Sequence, residues 1–195
     1  MRTANIKRDT RETRIQLALN LDGTGRSGVS TGVGFLDHML ELFARHGDFD
    51  LDLTCRGDTQ VDFHHSVEDS GICLGRAFAE ALGDKRGITR YGQFLLPMDE
   101  TLVLCAVDLS GRDYLGWAVD LPARKVGDFD TELAKEFWLG FVRNCPGSVH
   151  IRQLAGENTH HILEAVFKGM GRALKMAAAP DEKHRDEIPS TKGVL

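Results

Sequence analysis

No stretch of this chain approaches the roughly 20 consecutive apolar residues that a membrane-spanning helix needs. Its first residues, Met1-Arg2-Thr3-Ala4-Asn5-Ile6-Lys7-Arg8, are polar and hold nothing like the apolar centre of a secretory signal. Cysteine is scarce. Cys55, Cys73, Cys105 and Cys145 form no C-x-x-C pair and sit among apolar neighbours, which suits reduced, buried thiols of a cytoplasmic protein. Positive charge is in deficit too. The net charge is -5 with His neutral, and no basic or aromatic stripe runs along any segment. Neither nucleic acid nor an anionic membrane is therefore expected as a partner. Apolar residues make up 42% of the 195, enough for the core of one ordinary domain or of two fused half-domains.

Histidine is not abundant, but it is unusually placed. Residues 64–78 read HHSVEDSGICLGRAF and residues 160–174 read HHILEAVFKGMGRAL. His-His, a Glu four positions after the first His, and Gly-Arg-Ala recur at a single spacing. Upstream, Phe43-Ala44-Arg45 answers Phe141-Val142-Arg143. Two matching blocks in the same order point to an internal duplication.

The coarse pattern repeats as well. Thr13–Leu21 alternates as a strand, followed by a Gly-rich turn at Gly23 and Gly25 and a second strand near Gly28–Gly32. The glycines fit neither a P-loop nor a dinucleotide fingerprint and read as a turn. Leu36–Arg45 has helical spacing, Phe49–Cys55 alternates strictly, and Phe63–Leu82 reads as a long helix stopped by Gly83. The second half follows with strands near Thr101–Leu109 and Tyr114–Leu121, a helix over about Thr131–Arg143, a strand at Ser148–Leu154 and a helix at Asn158–Ala178. The expected fold is α+β: a small sheet covered on one face by helices, made twice, with pseudo-repeats at about 1–90 and 91–180. The tail, Pro180–Leu195, is charged and without periodicity. Taken alone it reads as a disordered terminus.

On a helix, residues four apart share a face. His64 with Glu68, and His160 with Glu164, can each present an imidazole and a carboxylate to one divalent first-row ion. Adjacent histidines are rotated by about 100°, so His65 and His161 suit a different ion from their neighbours. Two equivalent helices then suggest a crossed arrangement. One ion would take His64, Glu68 and His161, and the other His160, Glu164 and His65. His38, on the helix before the first motif, has Glu136 as its counterpart. Pseudo-symmetry assigns His38 to the His160 ion and Glu136 to the His64 ion, with a solvent-facing helical Glu as the alternative for Glu136. A lone His-His pair is commonly a surface accident; two copies with the same Glu are not. His46 is either a helix-end cation or a site residue, and His150 and His184 have no assignment.

These residues belong to a wider set. Arg8–Thr13, Gly34–Leu40, Asp62–Asp69, Pro97–Glu100, Asp108–Arg112, Asn158–His161 and Ile188–Gly193, in that order, make the chain resemble the imidazoleglycerol-phosphate dehydratases of histidine biosynthesis over essentially its whole length. The resemblance implies a duplicated unit like the second domain of ribosomal protein S5. It implies manganese at two sites per subunit, and 24 subunits with active sites between them, so that ligands of one ion come from one chain or from several. Many members carry His where this chain has Glu136, a harder ligand.

The implied reaction removes a hydroxyl beside an imidazole ring and a proton from the next carbon. An ion on each ring nitrogen would favour the imidazolate, whose electrons expel the hydroxyl. Glu12 is the leading candidate for the proton work, with His46 and Asp108 as alternatives. A solvated Glu paired with Arg8, Arg11 or Arg14 is the plainer reading of Glu12. Arg90 and Arg112 match substrate-binding arginines of the family, and arginine forks onto phosphate. Ser190, Thr191 and Lys192 in the tail match as well, and the tail would order on binding. A protein whose metals only hold an assembly together, and an RNA-binding module, are the readings from other classes.

Overall fold

The computed structural model describes residues 1–195. Its first half runs β1 (Thr3–Asp9), β2 (Thr13–Asn20), β3 (Ser27–Ser30), α1 (Gly34–Gly47), β4 (Asp50–Gly57) and α2 (His64–Leu82). The second half runs β5 (Tyr91–Met98), β6 (Thr101–Asp108), β7 (Tyr114–Ala118), a small hairpin of β8 (Lys125–Val126) and β9 (Phe129–Asp130), α3 (Leu133–Asn144), β10 (Ser148–Ala155) and α4 (Thr159–Ala178). The sheets are ordered β1-β2-β4-β3 and β5-β6-β10-β7. In both, only the last pairing is parallel. The β8–β9 hairpin is the one element without a counterpart. The α+β fold built twice is what the patterning indicated. No helix is long and apolar enough to cross a membrane.

The strand alternation sets the layers. Ile15, Leu17 and Leu19 on β2 are buried, as are Val103, Cys105 and Val107 on β6. Each sheet lays this face on its helices, and the helices of the two units pack across the middle, α1 on α4 and α2 on α3. The repeated Gly-Arg-Ala has its cause here. A Cβ on Gly75 would lie 2.3 Å from the Phe141 carbonyl oxygen, and one on Gly171 would lie 2.6 Å from that of Phe43. Glycine thus lets α2 cross α3, and α4 cross α1, at backbone distance. The matching Phe43 and Phe141 blocks are the other halves of these crossings. Phe43, Phe78, Trp138, Phe141 and Phe167 join the crossings into one core.

Four features depart from the sequence reading: β1, β5, the β8–β9 hairpin and the tail. β1 and β5 precede the strands expected to come first. β1 buries only Ala4 fully and β5 only Gly92 and Leu96, so neither edge strand shows a long buried alternation. The β8–β9 turn is made by Gly127 at φ 58°, inside a stretch to which the patterning assigns no element. The tail is not a loose terminus. Asp181 N–H donates to Gly87 O, and Gly87 N–H donates to Glu187 O. Arg90 Nη1 donates to Pro189 O at 2.7 Å, so the tail is tied to the body of the domain without periodic structure.

Candidate metal centre

Both His-His pairs open a helix. Asp62 Oδ1 accepts from His64 N–H at 2.7 Å. Asn158, the N-cap of α4, accepts from His160 N–H at 2.9 Å and His161 N–H at 3.4 Å. An Asx residue two positions ahead of each pair therefore satisfies the free amide donors and fixes where the imidazoles start.

The structure brings His38, His160 and Glu164 together, with one donor atom from each within 4.8 Å of the others. His38 Nε2 lies 2.9 Å from Glu164 Oε1, and His160 Nε2 lies 3.6 Å from the same oxygen. The α1–α4 crossing makes this possible, so the cluster joins the two repeats. Glu164 is buried. Burial pushes its carboxyl up, but the hydrogen bonds from Lys168 and His38 outweigh this and hold it below the ordinary value. Two imidazoles and an ionised carboxylate on rigid helices suit a divalent transition ion.

The other half is looser. His64 Nε2 lies 3.8 Å from Glu68 Oε2. Glu136, half-buried on α3, is one turn before Gly140, whose position abuts the Glu68 carbonyl. No third ligand gathers with His64 and Glu68 as His38 does with His160 and Glu164. The second histidine of each pair faces elsewhere, with ring planes at 89° and 90° to the first. His65 Nδ1 bonds Asp58 at 3.0 Å, and its Nε2 lies 3.7 Å from Glu12. His161 Nδ1 bonds Glu100 at 2.8 Å. These carboxylates raise both imidazoles above their ordinary value and fix which nitrogen is left free. Within one chain, then, His65 does not join the His160 group, nor His161 the His64 group.

Glu12 and Glu100 stand at equivalent places, each just before the second strand of its sheet and beside the second histidine of a pair. The Glu12 turn is anchored from below. Buried Asp69 accepts from the Thr13 hydroxyl and pairs with Arg8 at 2.8 Å. Glu12 itself is exposed. Sequence reasoning missed Asp58, Asp69 and Lys168. Only Lys168, four residues after Glu164, carried a local signal.

The remaining candidates are spread out. Arg90 sits at φ 73°, bonded to Asp108 at 2.7 Å while also holding Pro189, so Asp108 is the partner of an arginine. The Arg112 side chain is exposed and makes no ion pair within the chain. Ser190 Oγ accepts from Lys192 N–H at 3.2 Å in an exposed turn that includes Thr191. His46 lies on α1 beside α4. Burial, then Lys168, Arg172 and Arg45, hold its pKa below the ordinary value.

Known proteins agree with one another. The family model for imidazoleglycerol-phosphate dehydratase matches residues 31–174. The imidazoleglycerol-phosphate dehydratase of Pelobacter propionicus is 59% identical over 194 residues, covering 100% of this chain and 99% of the relative. That of Azorhizobium caulinodans is 54% identical over 195 residues, covering 100% and 99%. The crystal structure of the Staphylococcus aureus dehydratase superposes with a TM-score of 0.82 at 40% identity, over 91% of this chain and 99% of that one. The Pyrococcus furiosus structure gives 0.85 at 39% identity, over 97% and 100%.

Proposed function

The chain belongs to the imidazoleglycerol-phosphate dehydratase family, a family of hydro-lyases, and from that premise we propose that it converts D-erythro-imidazole glycerol phosphate to imidazole acetol phosphate and water with two divalent ions bound per subunit. The observation that carries the metal reading is the convergence of His38, His160 and Glu164 across the α1–α4 crossing. These three would hold one ion. His64, Glu68 and Glu136 would contribute to the second. His65 and His161 face away from the groups of their own chain, which supports ligand sets completed by neighbouring subunits in an assembly of 24. Manganese suits sites that mix imidazole with carboxylate. Bound divalent ions would act as Lewis acids on the imidazole ring, favouring loss of its N–H proton.

The protein's own groups supply the rest. The C–O bond beside the ring breaks, and the hydroxyl leaves with a proton as water. The neighbouring carbon loses its proton, and the resulting enol becomes the ketone. Glu12, exposed beside His65 on an anchored turn, is the group we assign to these proton movements, as base to the C–H and as acid in turn. His46, kept neutral near pH 7 by burial and by cationic neighbours, is a weaker candidate for the same work, and Asp108 orients Arg90. Arg112, with no ion pair of its own, would fork onto the phosphate. Arg90 would fix the tail so that Ser190, Thr191 and Lys192 close over it. Four buried thiols suit a reducing cytoplasm. Turnover of imidazole glycerol phosphate by purified, Mn-loaded protein tests the reading. Formation of the acetol phosphate is expected; none, from a folded and metal-loaded protein, overturns it.

A further inference from the structure

The duplication sets two equivalent carboxylates side by side, and they are treated differently. Glu100 is fully engaged. Its Oε1 accepts from the Thr101 hydroxyl at 3.0 Å and from the N–H groups of Glu157 and Asn158 at 3.3 and 2.9 Å. Its Oε2 holds His161 Nδ1 at 2.8 Å. The Glu12 carboxylate has only His65 Nε2 nearby, at 3.7 Å, and is 54% exposed against 36% for Glu100. The donors that fasten Glu100 have counterparts in the first half, and these go elsewhere. The Thr13 hydroxyl donates to Asp69. Gly57 and Gly156 are equivalent, because a Cβ on either would meet the first residue of the second strand, Thr13 or Thr101, and the third residue of the histidine motif, Ser66 or Ile162. The residues that follow them, Asp58 and Glu157, therefore correspond. The Glu157 N–H goes to the Glu100 carboxylate, whereas the Asp58 N–H donates to the main-chain carbonyl of Glu12 at 3.1 Å. His161 Nδ1 is held by Glu100, whereas His65 Nδ1 is held by Asp58 at 3.0 Å. The halves have exchanged roles: Glu100 holds the second histidine in one, and Asp58 holds it in the other.

We propose that Asp58 is a positioning residue for the dehydration: by taking the place on His65 that Glu100 takes on His161, it leaves the Glu12 carboxylate available to move protons. The inference rests on the assignment of Glu12 above and names the residue that makes that assignment workable. A base must come within hydrogen-bond reach of the proton it takes. A carboxylate fastened as Glu100 is cannot turn toward a substrate without breaking those bonds. Asp58 acts on Glu12 from two directions. Its N–H fixes the Glu12 main chain, and its carboxylate satisfies the ring nitrogen that would otherwise seek an acceptor. Without that carboxylate, His65 Nδ1 has no partner and Glu12, already 3.7 Å from the same ring, is the nearest replacement. Capture of Glu12 by His65 would reproduce the Glu100–His161 arrangement, which orients a histidine and does no more.

Asp58→Ala keeps the main-chain N–H and removes the carboxylate. At saturating Mn it should lower kcat by about 10–100-fold, the usual scale for loss of a group that orients a ligand histidine, with little change in KM. Asp58→Asn keeps an acceptor for His65 Nδ1 and should restore most of the turnover. Glu12→Gln added to Asp58→Ala should cost little more, because both changes disable one group. A crystal structure of metal-free Asp58→Ala should show the Glu12 carboxylate hydrogen-bonded to a His65 ring nitrogen. If Asp58→Ala fails to fold, Asp58→Leu, similar in shape but without an acceptor, carries the same measurements. Unchanged kcat in Asp58→Ala beside a crippled Glu12→Gln would overturn this inference alone. So would a structure of the variant with Glu12 still unbound, or turnover fully regained in excess Mn, which would make Asp58 an orienter of the histidine only. Asp58→Asn as poor as Asp58→Ala would also overturn it, since charge and not occupancy of His65 would then matter. Unchanged kcat in Glu12→Gln would overturn the assignment of Glu12 and this inference with it.

Discussion

Asp69→Ala tests how the Glu12 turn is held. Asp69 is 7% exposed and its partner Arg8 25%. The carboxylate also accepts the Thr13 hydroxyl. Breaking a buried ion pair from one side costs about 3–5 kcal/mol, because the remaining charge is left uncompensated. Water still reaches a quarter of Arg8, which places this case near the lower end, about 3 kcal/mol. For a domain of this size each kcal/mol moves Tm by about 2–4 °C, so a fall of about 6–12 °C is expected. The variants should be compared at one protein concentration, since assembly couples Tm to concentration. Asp69→Asn keeps an acceptor for Thr13 and should lose less. Glu12→Gln leaves the anchor intact, and should keep the wild-type Tm and metals while losing most of kcat. A Tm within about 2 °C of wild type for Asp69→Ala would refute the anchoring argument, and unchanged kcat in Glu12→Gln would return Glu12 to a solvated surface group.

Three further outcomes follow from the same geometry. Gly75→Ala and Gly171→Ala each press a methyl group into a backbone carbonyl and should destabilise by about 1–3 kcal/mol or more; urea midpoints equal to wild type would contradict the close crossings. Arg112→Ala, or deletion of Ser190–Leu195, should raise KM for the phosphorylated substrate with metal content unchanged, and steady-state kinetics with no change in KM or kcat would remove both from the phosphate site. Stability should have two pH limbs. Arg2, Lys175 and Arg26 hold Asp22, Asp48 and Asp50 below the ordinary carboxylate range, so their contribution is complete above pH ~4 and is lost as pH falls through the lower folded values. Asp58 and Glu100 hold His65 and His161 above the ordinary imidazole value, so in chelated protein their contribution is complete below pH ~6.5 and is lost as pH rises through the raised folded values. A chelated-protein Tm that climbs steadily from pH 6 to 9 would contradict the second limb.

How much was legible in the sequence depended on whether a feature was local. β2 and β4 show their alternation because one face is fully buried, and His64-x-x-x-Glu68 announces itself because helical geometry is fixed. β1 was invisible, since an edge strand with charged outer positions has almost no burial to pattern it. His38 could be tied to Glu164 only through the duplication, because the α1–α4 crossing that joins them spans most of the chain. Asp58 and Glu100 reach His65 and His161 from loops that only the sheet topology delivers.

The central claim is that both halves of the duplication contribute ligands to one two-metal reaction. The most direct measurement is metal content beside turnover for His64→Ala and His160→Ala, with His150→Ala as a control. Each of the first two should keep one ion firmly and hold the other weakly, and both should be catalytically crippled, the double variant little worse than either because the groups act as a unit. His150, outward on β10, should be nearly neutral. If His160→Ala retains both ions and full turnover while His64→Ala does not, the second motif takes no part in the chemistry and the two-metal account is wrong.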